Sequence, residues 1–313
     1  MPGEVFFLIF VNAALNSASM KGWSSGCGVR GPSSSEAGNA GGTETNGDAA
    51  SGAKRRGVHR IVGGKDAERI EFPWQISLRR KLPLINTDRG HTCGGSIISE
   101  QYVVTAAHCV DGLFTFPSNY KVMVGDQNIN AKDDTEDGFE VEQITKHPDW
   151  DRDALNYDYA VLKLKTPLDF TDKHKHLMPI CLPEKDQSFE GKTCTASGWG
   201  LTKDRSEGGT TLPAKLQKAD LPIVDHSVCK EYYEGINEVY DNTMICAGPA
   251  EGGKGVCQGD SGGPLQCARP DGHYVLAGAT SWGVKCAGEK MPGVFARIAT
   301  QVDWIKEVAG MTT

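Results

Sequence analysis

The chain has 313 residues, of which 39% are hydrophobic and 23% charged, enough for one large or two small globular domains with a real core. Its net charge is −7; the first 60 residues carry six Lys/Arg and four Asp/Glu, which leaves 27 basic and 36 acidic side chains in the rest. That balance argues against nucleic acid as a main partner.

In chain order, VFFLIFV (Val5–Val11) is a short apolar run followed by small residues. It is too short to span a bilayer and reads as the core of a secretory signal over residues 1–19, although Glu4 stands where a basic flank is usual. No later segment is long and apolar enough to anchor the chain in a membrane. Residues 22–53 are rich in Gly, Ser, Ala and Asn, a composition that cannot bury much apolar surface. The basic stretch KRRGVHR (Lys54–Arg60) follows, and composition changes abruptly at IVGGKDA. The expected organisation is a signal over 1–19, a largely disordered segment over 20–60 and a folded domain over 61–313.

From Ile61 onward, short apolar or alternating runs are broken by turn residues: WQISL, SIISEQYVVTAA, KVMVG, YAVLKL, CTASGWG, YVLAGATSW and GVFARIA. This spacing suits the strands of an all-β protein. One helix is expected at the end, with Thr300 as its cap, Asp303 three residues on, and Val302, Ile305 and Val308 at helical spacing. Ten scattered cysteines without CxxC spacing read as disulfides formed in an oxidising compartment.

Three stretches carry chemistry. GDSGGP (Gly259–Pro264) sets Ser261 among glycines that allow backbone amides to gather round one oxygen; a Gly-rich turn is the bland alternative. A serine hydroxyl needs a base, and TAAHC (Thr105–Cys109) offers His108, although it also reads as a packed histidine beside a disulfide. NYDYAVLKL (Asn156–Leu164) puts Asp158 at the head of an apolar run, where a buried carboxylate needs a partner.

Together with IVGG, CGGSII, PICLP, SGWG, MICAG, SWG and PGVFARI, in order from Ile61 to about Gly310, these stretches resemble the chymotrypsin family of serine proteases. The resemblance implies two antiparallel six-stranded β-barrels with the active site between them and a short C-terminal α-helix. It implies Ser261 as nucleophile, His108 as general base and acid, Asp158 as its orienting partner, and the amides of Gly259 and Ser261 as the oxyanion hole. It also implies a zymogen: cleavage of Arg60–Ile61 frees an α-ammonium that pairs with Asp260. Implied substrate-binding positions are Gly255, Val256, Gln258, Ser281, Trp282, Gly283 and Gly293. Gly255 stands at the base position where trypsin-like members carry an aspartate, so cleavage after large apolar or aromatic residues is expected. Elastase-like or collagenase-like specificity, or a non-catalytic binding homologue, are the alternatives. The implied disulfides are Cys27–Cys181, Cys93–Cys109, Cys194–Cys267, Cys229–Cys246 and Cys257–Cys286, the first tethering the activation peptide.

GDQNINAKDDTEDGFE (Gly125–Glu140) resembles a calcium-binding loop, with Asp126, Asn128, Asp133 and Glu136 as oxygen ligands; a solvated acidic loop is the alternative. Arg79, Arg80 and Lys81 lie in a loop that borders the leaving-group side in this family, where they could favour acidic residues; a solvated charge run is the commoner alternative. The remaining histidines carry no motif and read as surface residues. The chemistry needs no cofactor. Expected partners are protein and peptide substrates, an activating trypsin-like protease and protein protease inhibitors, with a secreted, extracellular monomer that binds neither nucleic acid nor membrane.

Overall fold

The computed structural model describes residues 26–31, 61–81, 87–112 and 115–311. The expected signal, most of the activation segment and Arg60 lie outside the described residues.

The elements in chain order are β1 (Lys65–Asp66), β2 (Gln75–Lys81), β3 (Asp88–Ile97), β4 (Tyr102–Thr105), β5 (Tyr120–Val124), β6 (Asp137–Lys146), β7 (Ala160–Leu164), β8 (Thr193–Gly198), β9 (Gln217–Val224), α1 (His226–Tyr232), β10 (Met244–Ala247), β11 (Pro264–Ala268), β12 (Tyr274–Trp282), β13 (Gly293–Arg297) and α2 (Ile298–Val308). β2 to β7 close a first barrel in the order β2-β3-β4-β7-β6-β5. β8 to β13 close a second in the order β8-β9-β10-β13-β12-β11, because β8 pairs with both β9 and β11. All these pairings are antiparallel, and β1 adds to the outer edge of β9.

Closure explains the alternating apolar pattern. Each strand turns one face inward, and closing the sheet removes the exposed edges that an open sheet would leave. Ile76 and Leu78, Val122 and Val124, and Leu162 and Leu164, each pair two residues apart on one strand, are all buried in the first barrel. Polar contacts join the two barrels. Trp74 Nε1–H donates to Gln266 Oε1, Gln266 Nε2–H donates to Ser197 Oγ at 3.1 Å, and Ser197 Oγ–H donates to Gln75 Oε1 at 2.7 Å. Each member is almost wholly buried, so an unmade bond there is costly and the network fixes how the barrels meet.

The last helix differs from the expectation. α2 starts at Ile298, directly after β13, and Thr300 lies inside it, its hydroxyl bonded back to the Arg297 carbonyl at 3.1 Å. Burial of Ile298 and Ala299 starts the helix three residues earlier than a cap at Thr300 would, so packing overrides the cap signal. Asp303 pairs instead with Lys185 at 2.7 Å.

Candidate active site

His108 and Asp158 come from the first barrel. β4 ends at Thr105 opposite Ala160, the first residue of β7. A residue just past one end and just before the other therefore meet. His108 sits on a short 3-10 turn after β4, pinned by the Cys93–Cys109 disulfide to β3. Asp158 follows Tyr157, a non-glycine residue at φ +53°, a left-handed strain of a kind concentrated at functional sites. The Asp158 carboxylate is buried and receives three bonds: His108 N–H to Oδ1 at 2.8 Å, His108 Nδ1–H to Oδ2 at 2.7 Å, and Ser281 Oγ–H to Oδ2 at 2.5 Å. Burial lowers the pKa of His108, but the charge and hydrogen bond of Asp158 outweigh it and the net direction is upward.

Ser261 comes from the second barrel and is placed by backbone. Its carbonyl accepts Gly94 N–H at 2.7 Å, across the barrel interface. That approach needs glycine at 262, where a Cβ would fall 2.2 Å from Thr105 Oγ1. Two further bonds orient the amides of Gly259 and Ser261. Leu201 N–H holds the Gln258 carbonyl at 2.9 Å, and Gly263 N–H holds the Asp260 carbonyl at 2.8 Å. In a trans peptide N–H and C=O point opposite ways, so the N–H groups of Gly259 and Ser261 are turned away from those donors. Among the described residues no hydrogen bond joins Ser261 Oγ to His108; such bonds commonly tighten only with substrate present.

Asp260 is fully buried and accepts Gly200 N–H at 2.7 Å and Cys257 N–H at 2.9 Å. Burial nevertheless holds its pKa up at about 7. Ile61 is also fully buried, and the next residue, Val62, accepts Gly255 N–H at 3.1 Å.

A cavity of about 180 Å³ opens beside Ser261. Val256, Gln258, Ser281, Trp282, Gly283 and Gly293 line it, as do Ala287 and Met291. Gly255 is not in the lining: a Cβ there would lie 3.2 Å from Ala287 Cα, so Ala287 closes that end. At Gly293 a Cβ would fall 2.8 Å from Val256 Cγ2, so valine already fills that wall, whereas nothing lies within 4 Å at Gly283. Lys285 belongs to the lining and pairs with Glu207 at 3.3 Å.

Several sequence readings change. Arg79 is engaged by Asp126 at 2.9 Å and Lys81 by Glu140 at 3.0 Å, so two of the three cations beside the cleft are neutralised within the domain. His147 and His174 are buried rather than surface residues. His91 takes part in the site: its Nε2–H donates to the Gly259 carbonyl at 2.8 Å and its Nδ1 bonds Ser77 Oγ at 2.8 Å. Burial first, and the Arg79 charge, outweigh the Gly259 bond and bring its pKa down to about 4, so it stays neutral. No motif marked His91 in the sequence; its place two residues before Cys93 was the available signal.

In the acidic loop, Asp126 is buried, with Oδ2 on Arg79 and Oδ1 without a hydrogen-bond partner. Burial pushes its pKa up to about 6, against Arg79 and helped by the nearby Glu136 and Asp133 charges. Asp133 Oδ2 accepts the N–H groups of Gln127 and Asn128, and Asn128 Oδ1 that of Asn130. The orphaned Asp126 oxygen favours a hard cation beside Asp133 and Glu136. Against it, Arg79 already pairs with Asp126, Asn128 Oδ1 is taken by Asn130 N–H, and the three carboxylates do not converge into one ligand set among the described residues.

The five disulfides of the structure are Cys27–Cys181, Cys93–Cys109, Cys194–Cys267, Cys229–Cys246 and Cys257–Cys286.

Two closed barrels with a histidine–aspartate pair facing a glycine-flanked serine define a class, the serine proteases of trypsin fold. A family model described as Trypsin matches residues 61–305, and the chain belongs to that family. It is 41% identical over 252 residues to "Serine proteinase stubble" of Drosophila melanogaster, covering 79% of this chain and 31% of that protein. It is 38% identical over 254 residues to "Transmembrane protease serine 9" of Rattus norvegicus, covering 81% and 22%. The chain thus spans under a third of the length of these curated relatives.

Proposed function

We propose that this chain is a secreted endopeptidase made as a zymogen, cut at Arg60–Ile61, that hydrolyses peptide bonds after large apolar or aromatic residues. Ser261 attacks the scissile carbonyl while His108 takes its proton, and Asp158 steadies the imidazolium that forms. The Gly259 and Ser261 amides receive the oxyanion. His108 then protonates the leaving amine, and a water molecule repeats the sequence on the acyl-enzyme.

The observation that carries the specificity is the cavity beside Ser261, whose lining holds Val256, Ala287 and Met291 but no carboxylate. An aromatic or leucine side chain gains about 1.5–3 kcal/mol from burial in such a site. A lysine or arginine would bury a charge with no carboxylate in the lining to pair it, which is costly. Closure of Val256 on Gly293 favours a flat ring or an unbranched stem, and the open Gly283 wall argues against the shortened pocket of elastases.

Activation is supported by Asp260. A fully buried carboxylate with two amide donors and a pKa held near 7 is short of a cation, and the ammonium freed at Ile61 would supply one. A calcium ion beside Asp126 would be structural and take no part in the chemistry. Protein inhibitors and a trypsin-like activator are the partners this reading implies.

One relative is named a transmembrane protease, which offers a second reading of location, membrane anchoring. No helix of the described residues is long and apolar enough to cross a membrane. Recovery of the expressed protein from the medium supports secretion; recovery with membranes supports anchoring.

The test of activity uses a covalent serine-hydrolase probe before and after trypsin treatment. Labelling of Ser261 should appear on cleavage and be absent in Arg60→Gln. Equal labelling of the uncut Arg60→Gln chain would sink the zymogen reading, and no labelling of the cut chain would favour a non-catalytic protein.

A further inference from the structure

Residues Cys27–Gly31 lie across the protease domain in a shaped groove. Cys27 bonds Cys181, and its carbonyl accepts His273 Nδ1–H at 2.6 Å. Gly28 donates to the Pro179 carbonyl at 2.8 Å and accepts Tyr274 N–H at 2.7 Å; Gly31 donates to the Glu71 carbonyl at 3.2 Å. Both glycines are demanded by the groove: a Cβ on Gly28 would fall 2.3 Å from the Tyr274 carbonyl oxygen, and one on Gly31 2.1 Å from that of Ile70. Val29 between them is exposed.

Arg30 reaches inward. It pairs with the fully buried Glu71, lies 5.6 Å over the Phe72 ring and donates to Tyr274 OH at 3.4 Å. Glu71 is shared. Oε1 also takes the Lys218 ammonium, and Oε2 takes Glu68 N–H at 2.8 Å. Lys218 stands on β9 directly opposite Lys65 of β1, and its neighbour Gln217 donates to Asp66 Oδ1 at 2.9 Å. β1 follows Ile61 by only four residues. A continuous path of charge pairs and strand pairing therefore runs from the tethered segment to the residue that becomes the new N-terminus.

Lys218 shares the Glu71 carboxylate with Arg30. It faces Glu71, Glu68, Asp220, Arg30 and Lys65, and burial, then Arg30 and Lys65, bring its pKa down to about 8. Arginine stays charged throughout.

We propose that the tethered segment is a working part of the activated protease and that Arg30 is a positioning residue. By neutralising Glu71 together with Lys218, it holds β9 and the 68–71 turn where β1 can pair. It thereby sets the fraction of cleaved molecules in which Ile61 is seated. This rests on the reading that cleavage at Arg60–Ile61 activates the enzyme.

The experiment compares the full chain with Arg30→Ala and Arg30→Lys, disulfides intact, each cut at Arg60–Ile61 to an extent read by mass spectrometry. The readouts are the fraction of sites taking the serine-hydrolase probe and kcat/KM from pH 6 to pH 10. In Arg30→Ala, cleavage should be equal, but the labelled fraction at pH 8 should drop about threefold or more and the alkaline limb should move down by about half a pH unit. Arg30→Lys should restore labelling at pH 8 to within about twofold. An alkaline limb in Arg30→Ala that matches wild type overturns the proposal, including when activity falls uniformly at every pH, as a merely structural role would give. A cut wild-type chain that gains no labelling would instead sink the activation reading itself.

Discussion

The two halves of the candidate site are built by different means. The His108–Asp158 half is a side-chain device: a buried carboxylate bonded three times, set at the matched ends of two paired strands. The Ser261 half is a backbone device. Its amides are aimed by Leu201 and Gly263, its carboxylate Asp260 has two amide donors and a raised pKa, and its pocket end is linked through Gly255 to Val62. A half anchored at the ends of paired strands is preorganised by the fold. A half built on turns that lean on residues 61–64 depends on the state of that segment, which puts any switch in the second barrel rather than the first.

The largest effect comes from breaking the side-chain half. Asp158→Asn should lower kcat roughly 10⁴-fold, the size of the corresponding change in the family's reference triad, with KM little altered. Steady-state kinetics and a thermal melt check it, and a loss under tenfold would mean that Asp158 does not hold His108. Ser281→Ala removes only one of three bonds to Asp158 and should cost far less.

The backbone half is sharpened by pH. Asp260 binds its proton more tightly in the folded, uncut chain, where its pKa is about 7, than in the unfolded one. Uncut-chain stability should therefore fall as pH rises from about 4 to about 7. His91 works the other way: its pKa is down at about 4, so stability is lost as pH falls from about 6.5 toward 4. His91 is common to cut and uncut chains, so the difference between their melting temperatures isolates Asp260. The cut chain should gain on the uncut one as pH rises through this window. Parallel curves would contradict an ammonium pairing with Asp260.

The smallest effect concerns the Asp126 loop, which belongs to neither half. Calcium should raise the melting temperature by a few degrees, roughly what 1 kcal/mol does in a domain of this size, and leave kcat unchanged. Melts with and without calcium read it, and no shift would mean that Arg79 alone compensates Asp126.

Much of this was legible before any coordinates. The strand runs and the serine, histidine and aspartate motifs are local patterns, and closed barrels express them as alternation. Contacts between distant segments were not legible. Ser281 bonds Asp158 across 123 residues, Ala287 closes the end of the pocket at Gly255, and Arg30 reaches Glu71; no spacing announces any of these. The charge run Arg79–Lys81 looked free because Asp126 and Glu140 are remote in sequence. Thr300 carried a valid cap signal and lost to the burial of Ile298 and Ala299.

The most direct test of the central claim, an apolar primary pocket on a trypsin-family scaffold, is kcat/KM on four matched amide substrates ending in Phe, Leu, Ala and Arg. Phe and Leu should exceed Arg by about 10²-fold or more, given an apolar gain on one side and an unpaired buried charge on the other. Ala should fall between them. In Gly255→Asp the Arg rate should rise, though only modestly, because the new side chain must displace Ala287. A wild-type preference for Arg would contradict the account, and a preference for Ala would mean that Val256 and Gly293 block the pocket.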